Sequence, residues 1–165
     1  LIRTLKSYVN FYGTNVRLHL VGEVSPRMGK YYQVLENEIK KYKLGELIKF
    51  HQKVDLKTLH TLYKYSTVFL LLSEHEGFCV PIMEAQYHHL PIVAWNQSAV
   101  GETLGSGQLL FQDCDYDAFA IAAHKLTTDL KLTNKLIQNG VENLKHYDNS
   151  ETIKKTLITI GNCIC

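Results

Sequence analysis

The run Val68-Phe69-Leu70-Leu71-Leu72 is apolar at every position. A strand with one wet face alternates polar and apolar residues. An unbroken run of this length therefore reads as a central parallel strand covered on both faces. Such a strand needs helices above and below it, and the chain has candidates on either side.

Asn15 to Val21 reads as a buried strand that ends at Gly22, and Leu47 to Phe50 as a second, short one. Ile92 to Trp95 follows Pro91 as a further strand, and Gln108 to Phe111 reads as the last. Helical spacing falls between them. It covers about Tyr31 to Tyr42, a helix capped by Asp55 with Leu56, Leu59, Leu62 and Tyr65 on one face, about Val80 to Tyr87, and Ser98 to Leu104. Tyr116 to Leu130 stacks Phe119, Ala123, Leu126 and Leu130, and Lys131 to Leu144 and Thr152 to Ile160 are amphipathic. Strands alternating with helices predict an α/β, Rossmann-like three-layer domain with a mostly parallel sheet and right-handed crossovers. We expect one domain over residues 1–165 with a helical tail from about 131. Ligands in such sheets lie beyond the carboxyl ends of the strands, which directs attention to the loops after Val21, Phe50, Leu72 and Trp95.

Composition narrows the function. The 165 residues carry 18 Lys plus Arg against 16 Asp plus Glu, a net charge of +2 that gives no general pull toward nucleic acid. Apolar runs such as Val68 to Leu72 are far short of the roughly 20 residues that span a bilayer. Nothing at the start of the chain resembles a signal peptide, so a soluble, cytoplasmic protein is expected, one that can touch the inner face of the membrane. Cys79, Cys114, Cys163 and Cys165 match neither a disulfide framework nor a zinc knuckle and read as reduced thiols. The glycosylation-type triplet Asn96-Gln97-Ser98 is short enough to arise by chance.

The chemistry concentrates in Ser73 to Ala85, between the apolar strand and the next helix. Pro81 has no amide hydrogen and is tolerated only in the first helical turn, so the helix cannot begin much before Cys79. Gly77 then falls in the turn, where a positive φ costs it nothing. The free amides of Phe78, Cys79 and Val80 point out of the helix start, a seat for phosphate. Glu84 stands about one turn in and leans back toward that seat, and Glu76 precedes it on the same rim. Two acceptor-only carboxylates beside a phosphate seat fit a ligand that also offers hydroxyls, as a nucleotide-sugar does. Two blander readings compete. Ser73-x-x-Glu76 fits a capping box, which would trap Pro81 inside a helix, and Glu84 alone fits a carboxylate stabilised by the helix dipole.

These residues resemble the retaining glycosyltransferases of family 4, whose GT-B fold has two Rossmann-like domains. The family pattern of a Ser, then Glu-Gly-Phe-Gly, a Pro, and a second Glu eight positions after the first is met by Ser73, Glu76, Gly77, Phe78, Pro81 and Glu84. Likeness extends over about Val16 to Leu144, through Leu18-His19-Leu20-Val21-Gly22, Ile48 to Val54, Leu59 to Leu72, Leu90 to Ala94, Gly101-Glu102 and Leu109-Leu110-Phe111. The part resembled is the C-terminal half of the GT-B fold, the nucleotide-sugar-binding domain. The resemblance implies that Glu84 binds ribose hydroxyls and that the catalytic Glu76 contacts the transferred sugar. Gly22, Gly77, Phe78, Cys79, Val80 and Glu102 complete the donor-binding set, with neither metal nor cofactor. It implies transfer of a hexose to a glycan or lipid-linked acceptor in polysaccharide biosynthesis, with a membrane surface as one place for that acceptor. It also implies an N-terminal acceptor-binding domain outside this sequence, without which the chain binds donor weakly and does not turn over.

Cys79 stands where the family has Gly, which is expected to narrow the donor pocket, and His89 stands where a Gly precedes the Leu-Pro, which bears on turn geometry. The basic pair that clamps the diphosphate lies upstream of the match, and Lys6, Arg27 and Lys30 are not secure substitutes. Other constellations carry less. His88-His89 and His75 with Cys79 lack metal-site spacing, and Cys163-x-Cys165 reads as incidental. The three glycines of Gly101 to Gly107 do not form a dinucleotide loop, and the scattered tyrosines, among them Tyr63, Tyr65 and Tyr87, read as partly buried helix residues rather than a stacking platform. A non-catalytic sugar-nucleotide sensor or scaffold and a Rossmann-like domain for another nucleotide are the competing functions.

Overall fold

The computed structural model describes residues 1–22 and 29–147. The expected Thr152 to Ile160 helix, Arg27 and the Cys163-x-Cys165 pair lie outside the described residues. The fold is α/β, with five short strands, all paired in parallel, among the described residues. It groups into two compact units, one from Leu1–Asp55 with Tyr116–Ile121, the other from Leu56–Asp115 and the described residues from Ala122 on.

In the first unit α1 (Ile2–Tyr12) precedes β1 (Leu18–Val21), and α2 (Gly29–Tyr42) and a single 3-10 turn (Gly45–Leu47) lead into β2 (Ile48–His51). β1 and β2 pair with Leu18 opposite Ile48 and Val21 opposite His51. Ile2 and Leu5 of α1, Ile39 of α2, Leu44 and Leu47 form its core, with Leu18, Ile48 and Phe50 packed against them. Arg3 clamps α1 to α2 through Glu38, 2.7 Å away. β1 is half-exposed rather than buried, alternating along Leu18 to Val21.

The second unit begins with α3 (Leu56–Tyr65), directly after Asp55. β3 (Phe69–Leu71), α4 (Val80–Tyr87), β4 (Ile92–Trp95), α5 (Val100–Leu104) and β5 (Leu109–Phe111) follow. α6 (Tyr116–Thr128) gives its first residues to the other unit, and α7 (Leu130–Tyr147) ends the described chain. The sheet order is β3-β4-β5, with Phe69 opposite Ile92 and Val93 opposite Leu109. The most buried strand is therefore β4, whose Ile92, Val93 and Ala94 are at most 1% exposed, and not β3, where only Leu71 is buried. β4 has a strand on each side, and Ile82 and Ala85 of α4 with Val100 and Leu104 of α5 share its core. Tyr65 is 78% exposed and takes no part in that core, against expectation, because α3 ends there.

A buried polar network joins α4, α5 and α7. Gln86 donates to the Leu104 carbonyl at 2.9 Å, and Asn143 donates to Gln86 at 3.0 Å and to the Thr103 carbonyl at 2.8 Å. Gly140 lets α7 come this close, since a Cβ there would stand 3.0 Å from Cγ of Gln86.

Helix α4 ends in a Schellman motif. Leu90 N–H donates to the Ala85 carbonyl and His89 N–H to that of Gln86, with His89 at φ 54 and Leu90 buried. A residue with a Cβ is strained there by about 1–2 kcal/mol, part of which glycine returns through its freer unfolded chain. His89→Gly is expected to stabilise the protein by a net ~0.5 kcal/mol, read as a raised denaturant midpoint at unchanged slope.

Candidate functional site

The position of Glu84 along its helix is set by where α4 begins. Val80 is its first residue and Pro81 its second, as the missing amide hydrogen requires. No side chain caps the helix start. The Ile82 amide turns back to the Cys79 carbonyl at 3.0 Å, while among the described residues no backbone carbonyl receives the amides of Phe78, Cys79 or Val80. Phe78 and Val80 are 41% and 38% exposed, while Cys79 between them is buried.

The left-handed residue of this turn is Cys79, at φ 47 and ψ 67, and not Gly77. The expectation for Gly77 is corrected for a physical reason. The chain reverses at the residue immediately before the helix, two positions after the glycine. Gly77 contributes openness instead, since a Cβ there would meet nothing within 4 Å. Both positions where the family pattern has glycine and this chain does not, Cys79 and His89, thus carry positive φ.

The Cys79 side chain points inward, 6% exposed, among Ile82, Leu90 and Ile92. Its thiol is pushed up to about 11, first by burial and next by the charge of Glu76, with Glu84 adding a smaller push in the same direction. One sulfur therefore feels both carboxylates, and Glu76 and Glu84 flank the same turn. Glu84 accepts a hydrogen bond from the Tyr63 hydroxyl at 2.9 Å through Oε2. Burial, and then the Glu84 charge, push the Tyr63 phenol well above its ordinary range, so it stays a donor.

A raised thiol predicts slow chemistry. The reactive species is the thiolate, and the shift leaves Cys79 with about 100-fold less of it at neutral pH than an ordinary cysteine. Iodoacetamide labelling followed by peptide mass spectrometry is expected to modify exposed Cys114 at least that much faster than Cys79.

The other expected residues are placed as follows. Glu102 lies in the first turn of α5, and its carbonyl accepts from the Tyr147 hydroxyl at 3.1 Å. The Tyr147 ring meets Phe78 edge-on at 5.4 Å, so the end of α7 touches both the loop before α4 and α5. Gly22 ends β1 in the first unit, where its amide is already donated to the His51 carbonyl at 3.0 Å. What it offers is the lack of a side chain, not a free donor. Lys6 lies over the Tyr42 ring and Lys30 sits exposed in the first turn of α2. Among the described residues no group of three or more His, Cys, Asp or Glu converges to hold a metal ion. No helix among them is long and apolar enough to cross a membrane. Sequence reasoning missed Tyr63 and Tyr147 as parts of this region. A tyrosine on an otherwise apolar helix face was the available signal, because a buried hydroxyl needs a partner.

Known proteins share this arrangement of elements. The model of the family described as Glycosyl transferases group 1 matches residues 1–143. Sucrose-phosphate synthase of Spinacia oleracea is 31% identical over 118 residues, covering 70% of this chain, and probable sucrose-phosphate synthase 2 of Arabidopsis thaliana is 33% identical over 119 residues. The match takes in 11% of the length of each, so the chain spans a small part of these curated relatives. Among solved structures, sucrose-phosphate synthase from Thermosynechococcus elongatus aligns over 99% of this chain and 42% of its own, at TM-score 0.77 and 24% identity. The C-terminal domain of a glycosyl transferase group 1 family protein from Francisella tularensis aligns over 88% and 75%, at TM-score 0.75 and 23% identity. The protein HepE of Anabaena, solved in complex with UDP and glucose, aligns over 94% and 44%, at TM-score 0.76 and 20% identity. These likenesses give the fold, a Rossmann-like C-terminal half of GT-B. With the family model running through all but the last stretch of described residues, the chain belongs to the glycosyl transferases group 1 family.

Proposed function

We propose that this chain is the nucleotide-sugar-binding domain of a retaining glycosyltransferase of family 4, which transfers a hexose from a nucleoside-diphosphate sugar to a glycan or lipid-linked acceptor. The observation that carries the reading is the turn itself: Glu76 and Glu84 bracket a helix start at which, among the described residues, no backbone carbonyl receives the amides of Phe78, Cys79 and Val80. In this scheme the amides of Phe78, Cys79 and Val80, with Gly77 leaving room, hold the diphosphate. Glu84 accepts from the ribose hydroxyls and Glu76 faces the transferred sugar, where its negative charge opposes the positive charge that develops as the glycosidic bond breaks. Glu102 extends the donor side from α5. Fixed amides stabilise the departing diphosphate without reorganising, and this scheme requires no metal or cofactor. Uridine is the proposed base, on the strength of the UDP that HepE holds.

Residues 1–165 form the donor-binding domain in this proposal, and transfer requires an acceptor-binding domain as well, so the chain alone binds donor without turnover. The work is placed in the cytoplasm, at the inner face of the membrane where the acceptor is lipid-linked. Titration calorimetry against nucleoside diphosphates and their sugar conjugates tests the reading. The expected result is saturable binding with UDP-sugars ahead of other bases and of UMP. Equal heats for every nucleotide, or none, contradict it.

A further inference from the structure

The side chain that reads the ribose in the proposed scheme is not left to find its own position. Helices α3 and α4 meet through two polar rungs. Tyr63 donates to Oε2 of Glu84 at 2.9 Å, and Nδ1 of His60 lies 2.7 Å from Nε2 of His88. His60 and Tyr63 are three apart on α3, and Glu84 and His88 four apart at α4 and its cap, so each pair shares one face of its helix. The rungs are tied together, because the Tyr63 ring stacks on His88 with 5.5 Å between centroids and 4° between planes. On β3, Phe69 adds a tilted ring contact at 6.0 Å.

Tyr63 is 9% exposed, so ring contacts and burial leave its hydroxyl one place to point. That hydroxyl occupies one oxygen of Glu84 and leaves Oε1 for another donor. A glutamate in the first turns of a helix otherwise samples several rotamers, and ordering it on ligand binding weakens the complex.

We infer that Tyr63 is a positioning residue for donor recognition: its hydroxyl, locked by the rings of His88 and Phe69, fixes the Glu84 carboxylate so that its second oxygen faces the ribose hydroxyls. The inference rests on the donor reading above and adds to it a residue on another helix, 21 positions upstream of the carboxylate.

Tyr63→Phe removes one oxygen and keeps the ring. Calorimetry with UDP and with 2′,3′-dideoxy-UDP separates its effects. Wild-type protein is expected to bind UDP more tightly than the dideoxy analogue. The substitution is expected to weaken UDP about 3- to 10-fold, leave the dideoxy analogue unchanged, and add nothing on a Glu84→Ala background, where the hydroxyl has no carboxylate to hold. A general packing defect would weaken both ligands alike, and that result, or an unchanged UDP affinity, overturns the positioning role while the donor reading stands. A wild-type protein that does not distinguish the two nucleotides overturns the assignment of Glu84 to ribose, and the positioning role with it.

Discussion

Glu84→Gln is expected to weaken UDP binding about 10- to 100-fold, since hydrogen bonds to a charged acceptor contribute ~1.5–3 kcal/mol against ~0.5–1.5 for a neutral one and two ribose hydroxyls donate to the site. Glutamine keeps the shape and one acceptor oxygen, so Tyr63 retains a partner and the unfolding midpoint should stay within experimental error. Glu84 is half-exposed, and its neutralisation strands no buried cation, since its partner is the neutral Tyr63 hydroxyl. Calorimetry beside a denaturant titration distinguishes the two quantities. Affinity lost with stability intact is the expected pattern; both lost together would make Glu84 a structural carboxylate, the dipole-stabilised residue that an isolated glutamate near a helix start so often is.

Ile82→Ala should show the reverse pattern. Ile82 is 0% exposed on α4 and packs with Cys79, Leu90, Ile92, Val100 and Leu104. Truncating a fully buried aliphatic side chain to Ala costs ~2–5 kcal/mol, the transfer term plus the cavity left behind. Against a total stability on the order of 5–15 kcal/mol that is a large share, and the urea midpoint should fall with little change in slope. Below the new midpoint the variant should still bind UDP, because the Ile82 backbone amide, which donates to Cys79, is untouched. A loss under about 1 kcal/mol, well below the usual cost of such a truncation, would mean that α4 is not the covering layer of β4.

Much of the second unit is legible in the sequence because its signals are local. Pro81 fixes the start of α4, Pro91 precedes β4, and the apolar β4 run appears at its observed bounds, Ile92–Trp95. Burial rank was not legible: Val68 to Leu72 is the more apolar run, yet β4 is the covered strand, because coverage is decided by which strand has neighbours on both sides. α1 escaped notice for a different reason. It starts at Leu1 without a side-chain cap and is rich in β-branched and small polar residues, so it is a helix held by burying Ile2 and Leu5 rather than by propensity.

The candidate site divides the same way. The spacing of Glu76, Pro81 and Glu84 on one turn is written in consecutive residues, and so are the amides. The positive φ at Cys79 is hidden by a Cβ, which draws attention to the nearby Gly77 instead. Tyr63 is invisible from Glu84 because only packing of α3 on α4 brings them together.

Whether UDP-sugar sits on the turn before α4 is tested most directly by an amide chemical-shift titration of isotopically labelled protein with UDP-glucose. The Gly77, Phe78, Cys79 and Val80 amides are predicted to move furthest. Saturable binding that leaves those four amides in place and moves a different surface would contradict the placement.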